Sequence, residues 1–227
     1  MLTYRNLRDD LVKYAVDQPR AVVVEVDDLT VATDSLLTAF SSAWMCIDTW
    51  PTVPLLVVAE SPAQRGRLRS SVVDRFVPVF DTQAAAVASL AAQPTRRRAM
   101  LRLARNLSGG RRARRFVNVT CERWGVPRLR ADAGLVATEL VENSLVHADS
   151  ADDIELRLEL RKGRLTVAVS DSDPREAVLR EPGADAQGAG GLHVVARLAR
   201  AWGCAPRWPA GKVVWVTLPM AAVRLTR

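Results

Sequence analysis

The chain has 227 residues, 48% hydrophobic and 25% charged, an ordinary globular composition with room for one large domain or two small ones. It holds no run of about 18 apolar residues, and no basic-then-apolar segment opens it, so neither a membrane span nor a secretion signal is expected and a cytoplasmic protein is. Three cysteines (Cys46, Cys121 and Cys204), widely spaced in apolar surroundings, read as buried thiols rather than a disulfide or metal cluster. With His147 and His193 the only histidines, a histidine-rich metal site is excluded.

The net charge of +7 is uneven. Residues 1–95 hold 8 Lys/Arg against 11 Asp/Glu, and residues 96–227 hold 24 against 14. Nine basic residues fall between Arg96 and Arg115. Such a cluster fits a nucleic acid, an acidic protein partner, or simply a solvated linker and helix face. Interleaved aromatics and a reading motif are missing, so nucleic acid is not the expected partner.

Taken in chain order, the first part alternates helix and strand. A helix over 6–16 leads to "AVVVEV" at 21–26, a continuous apolar run typical of a buried parallel strand. A helix over 34–50 ends before Pro51, and "PLLVVAE" at 54–60 is the next buried strand. "PAQRGRLRSSVV" starts a helix on its proline, "RFVPVF" at 75–80 is a third strand, and 83–93 closes as a helix. The pattern predicts a small α/β layer domain over 1–93. Pro94, the arginines and the Gly109-Gly110 pair then predict a basic linker at 94–110.

The second domain, 111–227, is built differently. "RRARRFVNVTCERWG" is a helix stopped by Gly125, and a second runs over 131–147 with Asp132 in its first turn. "IELRLELRKGRLTVAVSD" alternates strictly about Lys162-Gly163 and predicts an antiparallel hairpin with one wet face. A Pro- and Gly-rich stretch at 172–191 precedes the helix "GLHVVARLARAW" and the strand "KVVWVTLP". The fold class is therefore α/β followed by an α+β two-layer sandwich, helices over an antiparallel or mixed sheet.

Three stretches can carry chemistry. In "TELVENSLVHA", 138–148, Ala137, Val141, Leu145 and Ala148 form the packing stripe, while Glu139 and Asn143 lie one turn apart on another side. That side is either a plain exposed face or a carboxylate and an amide aimed at one point. Asp171, ending "VAVSD", can accept a hydrogen bond from an exocyclic amine. "GAGG" at 188–191 opens a helix, where exposed N–H groups favour an anion, although such a turn is also commonly just a flexible loop.

In this order, "TELVENSLVHA", "VAVSDSDP" and "GAGGLHVVARLARAWG" resemble the N, G1 and G2 boxes of the Bergerat-fold ATPases, the superfamily of gyrase, sensor histidine kinases and MutL. The likeness covers roughly 111–220 and is nearest to the anti-sigma-factor serine kinases, with "RRFVNVTCERWG" and "GKVVW" as matching flanks. The resemblance implies ATP and Mg²⁺ as cofactors. It implies Glu139 as the general base, Asn143 as the Mg²⁺ ligand, Asp171 as the adenine acceptor, and Gly188, Gly190 and Gly191 as the phosphate loop under a lid at 172–189. Glu142 would help hold a metal-bound water. The chain departs from the family pattern at Asp173, Ala189 and Val213, and no basic side chain stands in its glycine box.

The first domain resembles STAS domains, the fold of anti-anti-sigma factors, over about 4–93, in a degenerate form without the usual first two strands. That family's phosphoacceptor turn reads Thr33-Asp34-Ser35-Leu36, which makes Asp34 and Ser35 regulatory candidates; Asp34 also reads as a helix N-cap. The two resemblances together imply a protein serine kinase that controls transcription by partner switching. Its partners would be a sigma factor or a STAS-domain anti-anti-sigma protein, and it would form a homodimer. The alternative is a nucleotide-gated binding module without catalysis.

Overall fold

The computed structural model describes residues 3–30, 33–92, 96–106, 108–147, 153–161, 163–175, 191–207 and 210–220. The chain forms two units, Met1–Gln93 and Pro94–Arg227. Among the described residues, no helix is long and apolar enough to cross a membrane.

In the first unit, α1 (Tyr4–Val16) starts on Thr3, whose hydroxyl accepts from the Asn6 N–H. Strands β1 (Val22–Glu25), β2 (Leu55–Val58) and β3 (Val79–Phe80) form a parallel sheet in that order. Helices α2 (Thr38–Thr49), α3 (Pro62–Arg69) and α4 (Gln83–Ser89) alternate with them. Leu11, Phe40, Ile47 and Leu68 cover one sheet face with Leu55 and Val57, and Ala86 of α4 covers Leu56 and Val58 on the other. Burial on both faces is why β2 reads as an unbroken apolar run, each buried Leu or Val contributing about 1.5–3 kcal/mol. Asp27, just beyond β1, accepts from the Glu60 and Ser61 N–H groups at 2.8 Å each. These bonds hold its carboxyl below the ordinary aspartate value.

Two elements here are shorter than expected. "RFVPVF" yields only Val79–Phe80, because 72–75 are spent on a 3₁₀ turn and Pro78 has no N–H to give a ladder. The helix expected from residue 34 opens instead as a 3₁₀ turn, Asp34–Leu37, with Thr33 in the N-cap position and no side-chain cap hydrogen bond, so Asp34 is not its N-cap. Cys46, expected to be buried, is exposed on α2, whereas Cys121 is buried.

The second unit begins where a linker was expected. Residues Arg97–Leu103 form β4, paired antiparallel with β5 (Ile154–Arg161) from Arg97↔Leu160 to Leu103↔Ile154. Ala99, Leu101 and Leu103 carry a period-2 apolar pattern that the arginines between them disguise. Then come α5 (Gly109–Arg123), α6 (Arg130–His147), β6 (Arg164–Asp171), α7 (Gly191–Leu198), β7 (Ala201–Pro206) and β8 (Lys212–Pro219). The sheet is antiparallel with strand order β4-β5-β6-β8-β7. Helices α5 and α6 pack over one face through Val117, Val136 and Leu140 against Leu156, Val167 and Val216.

Helix α7 stops at Leu198, shorter than its pattern, because Ala201 and Trp202 belong to β7. The ring of Trp215 lies over Gly203, where a Cβ would sit 2.7 Å from the indole. The face of β5 expected to be wet is buried at Glu155, Arg157, Glu159 and Arg161. Opposite charges make that burial tolerable: Arg157 donates to Glu155 at 2.7 Å, and Arg96 lies 2.7 Å from Glu159. Burial beside Arg96 and Arg157 pushes Arg98 down to about 10.

Candidate functional site

Helix α6 supplies two of the expected groups. It follows a 3₁₀ turn at Pro127–Leu129, and Asp132 stands in its first turn. Ala133, Val136, Ala137, Leu140 and Val141 are fully buried against the sheet and α5. Close approach of α5 needs Gly109 and Gly110, whose added Cβ atoms would meet Val141, Leu145, Thr138 and Glu142. With that side occupied, Glu139 and Asn143 emerge half-buried on another face, and Glu142 is exposed.

Glu139 has its pKa raised above the ordinary value of 4.5, first by burial and then by the charge of Glu142, with Arg114 opposing. A carboxylate shifted this way is a stronger proton acceptor than a solvated glutamate.

Asp171 ends β6 opposite Lys212, the first residue of β8. Both continue the alternation of Leu165, Val167 and Val169 and of Val214, Val216 and Leu218, so both face the helix layer. The Asp171 carboxylate is 2% exposed. Its Oδ1 accepts from Lys212 Nζ at 2.9 Å and from the Asp173 N–H at 3.1 Å. Its Oδ2 accepts from Ser144 Oγ, on α6, at 2.7 Å. Lys212 also donates to the Asp173 carbonyl at 3.1 Å. Gly211, at φ +105°, has no room for a Cβ because the Asp171 carbonyl occupies that space.

Asp173 is one of the positions at which the chain departs from the family pattern. The Arg175 side chain and N–H bond its carboxylate, Nη2 lying 2.6 Å from Oδ2, and they hold it far below the usual carboxylate range.

The structure thus brings Asn143 and Asp171 to one region, linked through Ser144, with Glu139 one turn before Asn143. Gly191 is the first residue of α7, while Gly188 and Gly190 lie outside the described residues. Asp34 and Ser35 belong to the first unit, where Ser35 is exposed and its Oγ lies 2.7 Å from the Thr33 hydroxyl. Sequence reasoning missed Lys212 and Ser144. Ser144 directly follows Asn143, but Lys212 becomes visible only through the β6–β8 register.

Residues 103–218, slightly more than half of the chain, match the family of the histidine kinase-like ATPase domain. The chain belongs to that family. The match runs from the last residue of β4 to the penultimate residue of β8 and includes every site residue named in the second unit. Comparison with curated proteins finds no match. The donor set fits the ATP of a histidine kinase-like ATPase domain. An ionised carboxylate offers about four acceptor positions. Among the described residues three donors reach that of Asp171, which leaves a place for a base amine.

Proposed function

We infer that the chain is an ATP- and Mg²⁺-binding regulatory protein of the anti-sigma-factor serine kinase type, acting by partner switching in transcriptional control. The observation that supports this best is Glu139, a half-buried carboxylate of raised pKa one helical turn from the Asn143 amide, in a domain of the ATPase family. ATP, when bound, supplies the phosphoryl group, and Mg²⁺ offsets its negative charge.

Asn143 would hold Mg²⁺ through its side-chain oxygen. Asp171 would accept the adenine amine. Gly188, Gly190 and Gly191 would turn backbone N–H groups to the phosphates. Glu139 would orient a partner's serine hydroxyl and take its proton at a carboxylate oxygen. The substrate would be a STAS-domain anti-anti-sigma protein, with a sigma factor as the competing partner. In this reading the protein is cytoplasmic and forms a homodimer, and residues 1–93 are a degenerate STAS-like domain with Asp34 and Ser35 at its regulatory turn.

A second reading, a nucleotide-gated binding module without catalysis, is favoured by the sequence Gly188-Ala189-Gly190-Gly191, which places no basic side chain beside the phosphates.

The test is calorimetric titration of ATP with and without Mg²⁺, paired with transfer of labelled γ-phosphate to a STAS-domain protein. Mg²⁺-dependent binding that Asn143→Ala weakens, with transfer that Glu139→Gln abolishes, supports the kinase. Binding without transfer supports the module. No binding at millimolar ATP overturns both.

A further inference from the structure

Lys212 has not used all its hydrogen-bonding capacity on the described residues. Its ammonium has three N–H donors. Among the described residues one goes to Asp171 Oδ1 at 2.9 Å and one to the Asp173 carbonyl at 3.1 Å. One donor remains. On Asp171, Lys212 and the Asp173 N–H engage Oδ1 and Ser144 engages Oδ2, so the acceptor that remains is on the Ser144 side. One donor and one acceptor are therefore left on paired residues that share a face of the sheet, side by side across the β6–β8 ladder.

We propose that Lys212 is a base-reading residue: together Lys212 and Asp171 offer a donor beside an acceptor, the complement of the adenine edge. That edge presents the exocyclic amine as donor and ring nitrogen N1 as acceptor. Guanine presents the reverse pair, a carbonyl oxygen and a protonated N1, and would set donor against donor and acceptor against acceptor. Both protein groups are buried, so a mismatch there cannot be repaired by solvent. Lys212 also balances the Asp171 charge and occupies Oδ1, which directs the amine to Oδ2.

The inference rests on the reading of this pocket as an ATP site, and its test separates the two. The wild-type chain is titrated calorimetrically with ATP, GTP, 1-deaza-ATP (ring N1 replaced by C–H) and the purine analogue lacking the amine. Loss of a hydrogen bond to a charged group predicts at least about tenfold weaker binding for each of the last two, and weaker still for GTP. Lys212→Arg keeps a cation opposite Asp171 but moves its donors, and should bring ATP and 1-deaza-ATP to within about twofold of each other. Lys212→Met should do the same where it folds, while the analogue lacking the amine stays weak. Equal binding of ATP and 1-deaza-ATP by the wild type overturns the role of Lys212 and leaves the pocket standing. Tighter ATP binding by Lys212→Met also overturns it, because Lys212 would then be blocking the acceptor. Failure of the wild type to bind any nucleotide overturns both readings.

Discussion

The Arg105 guanidinium reaches the end of α6 and donates from Nη2 to the carbonyls of Ser144 and Leu145 at 3.0 Å each. These carbonyls lie in the last turn of α6, where a cation is favoured by the dipole. The turn carries Asn143 and Ser144 to the site. Arg105→Ala should cost about 1–2 kcal/mol, read as a lower urea midpoint at unchanged slope. A change below about 0.3 kcal/mol would show that the cap does not hold the helix.

Glu139 gives a prediction whose sign follows from its raised pKa. The folded state holds this proton more tightly than the unfolded chain, so stability falls as pH rises from the ordinary value of 4.5 through the raised one. Glu139→Gln removes that penalty. The variant should melt higher than wild type at pH 7.5, and the gain should shrink to nothing below about pH 4. Glu142→Gln should lower the Glu139 midpoint in a carbon-13 carboxyl titration, and Arg114→Ala should raise it. Opposite movements would mean that these charges do not act on Glu139.

Asp173 behaves in the reverse sense. Its depressed pKa, set first by Arg175, adds stability that is complete above the ordinary aspartate value of 3.8 and lost as pH falls toward the folded value. The stability difference between wild type and Arg175→Ala should be constant from pH 5 to 8 and narrow only below about 3.8. Narrowing near neutrality would assign the difference to another group.

Two glycines should respond unequally to alanine. At Gly203 the added methyl meets the Trp215 ring at 2.7 Å, which must shift as a rigid body, so the cost should be about 1–3 kcal/mol. At Gly110 it meets Glu142 Oε1 at 2.8 Å, the far end of an exposed side chain that can swing away. The same methyl also meets Thr138 Cγ2 at 3.2 Å, which must give by a few tenths of an ångström, so Gly110→Ala should cost less than Gly203→Ala, about 0.5–1 kcal/mol. Denaturant titration of both variants checks the contrast.

The readable parts of the chain are those with a clean period. The β5–β6 hairpin follows from alternation about Gly163, and α6 from the stripe of Ala137 and Val141. The positions of Glu139, Asn143 and Asp171 follow from those two patterns. Strand β4 was hidden because Arg97, Arg98 and Arg102 crowd around Ala99, Leu101 and Leu103, and charge density masked the period. Burial of Glu155 and Arg157 could not be read, because each is polar and only their pairing makes the interior acceptable. The Asp171–Lys212 pair spans 41 positions and depends on a strand register that no local pattern encodes.

The basic residues of this chain are nearly all arginines; Lys13, Lys162 and Lys212 are its three lysines. With Lys212 tucked against Asp171, the folded chain carries a shielded primary amine at its candidate site, and Lys13 and Lys162 are the other lysines against which it can be compared. Amine acylation followed by peptide mass mapping would then time the opening of that one place without any engineered label. Residue 212 should react slowly in the native chain and at the rate of an ordinary lysine once β8 parts from β6.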